Sequence, residues 1–357
     1  MSTTRKKRSG YMRLDPTEVE LRRIGLGMSV KDLKDAATIS DETWQRVIKG
    51  EEIWMDSAVD VQKALGVKNL LEIMHPAKLA ELTGMVAGAA PASGLADWQM
   101  DEPLSGCLNT SNGLKYFTWK LKHRLEGNRF ARGKRYDLSP LPTAEQDRLS
   151  NYLSRHGEVC NRIGAHPRFP KHLTTVPDSS GQSWWTLDEW IPGRSLAEVL
   201  LCGNLPRGLL ARVMREIMEG LQALHAAKVI RRELSPRFVL LREHDRSVVL
   251  TDFELGKLFD GSPTVASDWL GDPYRAPEIG DEPLTEQDRH VDFYSWGRIL
   301  LHASCGGLPP VGQEAACLDS ADLPVKVREI TQRCLATDVN QRPRSADEVL
   351  KAIRYWH

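Results

Sequence analysis

The sequence predicts an α+β chain headed by a small all-α domain. Strand-like segments over 114–138 and 172–190 flank a polar helix over 143–163, and the pattern turns mostly helical from 207 to the end. Short capped helical segments fill 16–75, and a run of small residues, Ala87 to Ala96, separates them from the rest of the chain. The 357 residues, 41% hydrophobic and 27% charged, can support a sizeable core in two or three domains. Lys+Arg and Asp+Glu are both 48, so the net charge is zero and any nucleic-acid site must be local.

Other classes are excluded in turn. No apolar run approaches the roughly 18 residues of a membrane span, so no membrane partner is expected. The charges from Arg5 to Arg8 are followed by no apolar stretch, unlike a signal peptide. Cysteines 107, 160, 202, 305, 317 and 334 are scattered, with no C-x-x-C pair. That predicts neither a zinc site nor a disulfide framework, and it points to a reducing, cytoplasmic setting. The expected organisation is a basic flexible arm over 1–15, a helical domain over 16–75, a linker over 76–97 and a larger domain over 98–357.

In the helical block Ser29 opens one helix with Asp32 three residues on, the pattern of a capping box. Ser40 opens a second that stops at Gly50, and a third runs from about Asp56 to Leu65, before Gly66. Leu33, Ile39, Val47, Ile48, Val61 and Leu65 are expected to share a core. From Leu21 to Val67 the segment resembles the phage-repressor type of helix-turn-helix domain. The resemblance implies that Asp41, Glu42, Thr43, Gln45 and Arg46 meet base edges. Lys31, Lys34, Arg46, Lys49 and the arm Arg5–Arg8 would meet phosphates. The DNA-binding candidates are therefore Lys31, Thr43, Gln45, Arg46 and Lys49. The alternative is a protein-docking module whose charges are merely solvated.

Five ordered segments lie further along the chain. They are Arg231-Arg232-Glu233-Leu234-Ser235-Pro236-Arg237-Phe238, then Asp252-Phe253-Glu254, then Ala276-Pro277-Glu278, then Val291-Asp292-Phe293-Tyr294-Ser295-Trp296-Gly297, and last Arg342-Pro343. Their order and spacing resemble the eukaryotic-like serine/threonine protein kinases, over about Trp98 to His357. The resemblance implies a two-lobed protein-kinase fold that uses ATP and Mg²⁺. By position, Glu233 would be the catalytic base and Asp252 a catalytic metal ligand. Lys134 would clamp phosphates, or else be a solvated strand lysine. Glu158 is the acid offered as its partner, although His156 falls at the expected place. Glu189 and Ile191 lie in the hinge that would hold adenine, with Asp188 as gatekeeper and Arg132 facing the adenine. Glu278, Asp292 and Arg342 would be structural.

Several residues depart from the family pattern. The metal-binding asparagine is Phe238, which offers no oxygen. Glu233 replaces aspartate, Arg231 replaces histidine, Ser235 replaces lysine and Glu254 replaces the D-F-G glycine; of the phosphate-loop glycines only Gly106 and Gly113 remain. Three readings stay open here. One is a DNA-binding regulator with a nucleotide-binding pseudokinase domain. Another is an active atypical serine/threonine kinase, with Ser262, Thr264 and Ser267 as acceptors. The third is a non-catalytic interaction scaffold.

Overall fold

The structure, a computed structural model, describes residues 10–83, 95–105, 108–109, 114–139, 141–178, 181–203, 205–253, 257–258, 273–279, 286–310 and 312–357. The chain divides into two compact units, 1–110 with 114–138 and 178–183, and 111–113 with 139–177 and 184–357.

The first unit opens with β1 (Tyr11–Arg13), so the flexible arm expected over 1–15 is interrupted. Met12 and Leu14 are buried, and the Arg13 guanidinium donates to the Gly50 carbonyl at 2.8 Å. These anchors hold β1 antiparallel against β2 (Glu52–Trp54), with Met12 opposite Ile53. Between them lie α1 (Pro16–Gly25), α2 (Val30–Ala37) and α3 (Asp41–Ile48), and α4 (Met55–Ala64) comes after β2. Each start has a local cause. Asp15 caps α1, the Ser29–Asp32 capping box starts α2, and the Ser40 hydroxyl accepts from the Thr43 N–H at 3.1 Å to start α3. Gly50, at φ +64°, lets the chain turn out of α3 into β2.

Leu33, Val47, Val61 and Leu65 are buried in one core together with Trp44, and Ile39 packs half-buried against it. Ile48 does not join them and is 40% exposed. It comes directly after Val47, and one helical step of about 100° turns it away from the core. The expected linker over 76–97 also begins with structure. Its first residues form α5 (Pro76–Thr83), with Leu79 buried in the same core. Beyond it come β3 (Trp98–Pro103), β4 (Leu108–Asn109), β5 (Lys115–His123) and β6 (Phe130–Asp137). The order is antiparallel β3-β5-β6, with β4 also on β5. Phe117 of β5 packs on the helical core. The strands over 98–138 are thus grouped with the N-terminal helices, and the division does not coincide with the 76–97 linker.

The second unit begins with the long α6 (Thr143–Ile163). After it come β7 (His172–Pro177) and β8 (Ser183–Glu189), which pair antiparallel with His172 opposite Asp188. Next are β9 (Gly193–Ser195), α7 (Leu196–Leu201), α8 (Arg207–Ala226), β10 (Val229–Ile230), β11 (Val239–Arg242), β12 (Val248–Leu250) and β13 (Lys257–Leu258). β11 lies between β12 and β9, and β10 pairs β13. The end is helical: α9 (His290–Cys305), α10 (Glu314–Ser320), α11 (Val325–Cys334) and α12 (Ala346–Ala352). Every residue of α9 from Val291 to Ala303 is buried, so this helix is the spine of the unit. The Trp296 indole donates to the Met214 carbonyl of α8 at 2.8 Å, tying the two central helices.

Cys305 and Cys317 form a disulfide across the α9–α10 connection, contrary to the expectation of unpaired cysteines. They stand at a sequence separation of 12, a spacing with no signature of its own. Among the described residues, no helix is long and apolar enough to cross a membrane.

Candidate functional site

The loop after β10 is built around Asp292, which α9 presents fully buried. Its two carboxylate oxygens accept from the Arg231 N–H at 2.9 Å and the Arg232 N–H at 2.8 Å, and His225 lies 2.8 Å from one of them. This clamp holds Arg232 at φ +65°, a left-handed conformation unusual for a side-chain-bearing residue. Glu233 comes next with 9% exposure, its N–H donating to the Arg231 carbonyl at 2.8 Å. Asp252, after β12, is also left-handed at φ +66° and buried, and it accepts from the Thr251 hydroxyl at 2.7 Å. The two carboxylates assigned to chemistry are thus both held next to strained backbone. Such strain costs about 1–3 kcal/mol per residue and gathers at functional sites.

Arg155, Arg232 and Arg275 bring positive charge to this loop. Burial, and behind it the charges of Arg275 and Arg155, pull Arg232 below the usual guanidinium value, while Glu233 opposes them.

A column of side chains leads away from the loop. The Arg231 guanidinium lies 5.2 Å from the Phe238 ring and 5.3 Å from the Phe253 ring, and it donates to the Thr251 carbonyl at 2.9 Å. Phe253 stacks on His156 of α6 at 5.8 Å, and its backbone N–H donates to His156 Nδ1 at 3.2 Å. His156 Nε2 meets Asp188 of β8 at 2.9 Å, and His172 of β7 meets the same carboxylate oxygen at 3.0 Å. Burial pushes the Asp188 carboxyl up, but the two histidines outweigh it and hold it well below the usual carboxylate range. Burial likewise pushes His156 down, while Asp188 and Cys160 raise it well above the usual imidazole range. The Phe253 N–H aimed at Nδ1 acts against a second proton there. The bonds in place are satisfied by the Nε2–H tautomer.

Lys134 of β6 is 4% exposed, so it is not a solvated strand lysine; its ammonium lies 4.2 Å from the Tyr116 ring and 5.3 Å from the Tyr136 ring. Arg132 is half-buried on the same strand, opposite Lys120. Glu158 is exposed on α6 and bonded to Arg162 at 2.9 Å, which corrects its assignment as the lysine's partner. The buried face of α6 carries Arg155, His156 and Cys160 instead. Glu189 ends β8, its carboxylate accepting from the Lys171 N–H at 3.0 Å, and Ile191 is buried just beyond. Glu254, Ser262, Thr264, Ser267, Gly106, Gly113 and the arm Arg5–Arg8 lie outside the described residues.

Glu278 and Arg342 meet in a two-pronged ion pair, one arm at 3.0 Å. Arg342 also donates to the Ala336 carbonyl at 2.8 Å and covers the Tyr294 ring at 4.9 Å. Sequence reasoning missed His172, Cys160 and Arg155. The His156–Cys160 spacing of four on one helix was the signal that could have found Cys160.

The family model described as the protein kinase domain matches residues 158–354, more than half of the chain. The chain is 30% identical over 175 residues to serine/threonine-protein kinase pak-2 of Caenorhabditis elegans, covering 44% of this chain and 32% of that protein. It is 29% identical over 199 residues to serine/threonine-protein kinase pkn2 of Myxococcus xanthus, covering 50% and 24%. Serine/threonine-protein kinase B of Synechocystis matches at 24% over 218 residues, covering 56% and 37%. This chain therefore spans well under half the length of each relative. Glu233, Asp252, Glu278, Asp292 and Arg342 all lie inside the matched stretch, and Lys134 lies before it. With an α+β architecture and these five residues in sequence order, the chain belongs to the protein kinase domain family.

Proposed function

We propose that the chain is a DNA-binding regulator whose kinase-like domain binds a nucleotide with weak or no phosphotransfer. One observation carries the second half: the Arg231 guanidinium lies against the rings of Phe238 and Phe253 and bonds to Thr251. Protein kinases hold two Mg²⁺ ions, through the D-F-G aspartate and the catalytic-loop asparagine. Here Asp252 keeps a carboxylate for one cation, but the asparagine's place holds a ring with no oxygen. The guanidinium beside it is a fixed positive charge that repels a second dication. These residues fit one cation better than two. When bound, Mg²⁺ would neutralise phosphate charge. Glu233 could accept a hydroxyl proton, but its carboxylate stands one methylene further out than an aspartate's, and about 1 Å of misplacement can cost on the order of a hundredfold.

Nucleotide binding is tested by thermal shift with ATP and Mg²⁺. A ligand at a hundred times its Kd stabilises the folded state by about 2.7 kcal/mol, which raises Tm. An unchanged Tm at millimolar ATP would rule the nucleotide out.

The first half rests on α3. Its exposed face carries Gln45 and Arg46, with Lys49 exposed just past its end and Lys31 exposed on α2. Asp41 is paired with Lys34, and Glu42 lies 3.6 Å from Arg46, so the acids there are partly neutralised. Thr43 is spent on the helix cap, its hydroxyl 3.1 Å from that of Ser40. Replacing Arg46 and Lys49 together with alanine is expected to lower the salt dependence of DNA binding. The slope of log K against log salt should fall by about 1.8, about 0.9 for each phosphate contact. Equal slopes for the variant and the parent chain would count against α3 as the contact surface.

A second reading, an active atypical kinase, is favoured by the two carboxylates, the substituted Glu233 and the retained Asp252, beside left-handed backbone.

A further inference from the structure

The side chains of α6, β7 and β8 place three metal-binding atoms around one point, and a fourth, Cys160 Sγ, lies beside one of them. His156 and Cys160 lie one turn apart on the buried face of α6, with Cys160 Sγ 3.7 Å from His156 Nε2. The Asp188 oxygen is 2.9 Å from His156 Nε2 and 3.0 Å from His172 Nδ1. One donor atom from each of His156, His172 and Asp188 falls within 4.8 Å of the others. We propose that His156, His172, Asp188 and Cys160 form a tetrahedral site for Zn²⁺ or a similar transition-metal cation.

The distances suit such an ion. Bonds of about 2.0–2.3 Å at tetrahedral angles separate the donor atoms by about 3.3–3.6 Å. The sulfur–nitrogen spacing to His156 is already close to that, and the nitrogen–oxygen spacings need to open by a few tenths of an ångström, while Cys160 Sγ has to turn in toward His172 and Asp188 to complete the set. The chemistry suits it too. A thiolate and two imidazoles select Zn²⁺ over Mg²⁺, and this site is separate from the Asp252 carboxylate. Binding takes the proton from the Cys160 thiol and releases it to solvent. The thiolate and the Asp188 carboxylate then balance the dication, so no net charge is buried.

The surroundings are shaped for His172. A Cβ at position 157 would stand 2.9 Å from His172 Nε2, so only glycine there lets the imidazole lie against α6. His172 would bind through Nδ1, leaving Nε2–H for the Thr175 hydroxyl, now 3.3 Å away. An outer hydrogen bond of that kind orients a metal-binding histidine. The sequence concealed the site because it has one cysteine and no C-x-x-C, and its four residues come from three elements.

His156 gives the site a consequence. Metal at Nε2 puts the ring proton on Nδ1, where the Phe253 N–H now donates. Two donors cannot share that contact. Metal binding and the docked Phe253 amide therefore compete, which couples the site to the segment carrying Asp252.

The test uses the full chain, stripped with a chelator and titrated with Co²⁺. One equivalent should give tetrahedral visible absorption and a thiolate-to-Co²⁺ band in the near ultraviolet, both displaced by one equivalent of Zn²⁺. Cys160→Ser should abolish the thiolate band, which separates Cys160 from the exposed Cys202. His172→Gln should weaken Co²⁺ binding about 10–100-fold or more. An absence of saturable tetrahedral absorption overturns the site, as does a Cys160→Ser titration identical to the parent's. Hydrogen exchange reads the coupling. The peptide containing the Phe253 amide should exchange at least about tenfold faster with Zn²⁺, as expected for a broken bond worth about 1.4 kcal/mol. Unchanged exchange with the metal bound overturns the competition.

Discussion

Asp292→Ala is expected to destabilise the second unit by about 3–5 kcal/mol, the scale for removing one partner from a buried charged cluster. The carboxylate is fully buried, accepts from two backbone N–H groups and contacts His225. Alanine leaves both N–H groups without their acceptor, at about 1–3 kcal/mol each, and opens a cavity inside α9. The loop carrying Arg232 and Glu233 also loses the clamp that holds its left-handed residue. Urea denaturation should show a lower midpoint, with the loss concentrated in the transition of the kinase-like unit. Asp292→Asn keeps one acceptor oxygen and should recover part of the difference. An Asp292→Ala protein within about 1 kcal/mol of the parent would mean that the clamp contributes far less than its burial implies.

The double change Phe238→Asn with Arg231→His is expected to raise phosphotransfer by on the order of a hundredfold. It adds a metal-binding oxygen and removes a fixed cation from beside it. Phe238→Asn alone should achieve less, because the guanidinium would still lie next to the new ligand. The gain should be larger with Mn²⁺ or Mg²⁺ than with no divalent ion. If neither variant gains transfer while both still show a thermal shift with ATP, the longer reach of Glu233 becomes the limiting defect. Glu233→Asp in the same background is then the variant expected to gain.

The legible part of this protein is the part written in local chemistry. Ser29 with Asp32, and Ser40 before α3, announce helix starts because a cap is made within three residues. The order of strands and helices was readable because each element carries its own periodicity, and the five kinase segments needed only sequence order. The features that escaped come from residues far apart in the chain. β1 and β2 are three residues each and exist because Met12 and Ile53 share a core with α2 and α4. Cys305 and Cys317 meet through the turn between two helices. His156, His172 and Asp188 converge from a helix and two strands, and no single window of sequence contains them. Glu158 is a different kind of miss. Its partner Arg162 stands four residues on, and that spacing alone favoured a surface ion pair over a distant lysine. Ile48 is similar, since two adjacent helical positions cannot both face a narrow core.

The contrast between the residues kept and those replaced has a physical reading. Asp292 and the Glu278–Arg342 pair hold the helical part together whatever the domain does. Phe238 and Arg231 stand where the family's metal-dependent chemistry is expected, and the Arg231 guanidinium lies against the rings of both Phe238 and Phe253. Under the proposed reading, a domain that binds a nucleotide without fast phosphotransfer can tolerate that exchange, whereas a fast phosphotransferase cannot.

The most direct test of a nucleotide-binding domain with little or no phosphotransfer is the transfer of label from γ-labelled ATP by the parent chain with Mg²⁺. It is measured beside a Glu233→Ala/Asp252→Ala control. Incorporation within a few-fold of the control is the expected result. Label accumulating far above the control, dependent on both carboxylates, would contradict it and make the chain an active kinase.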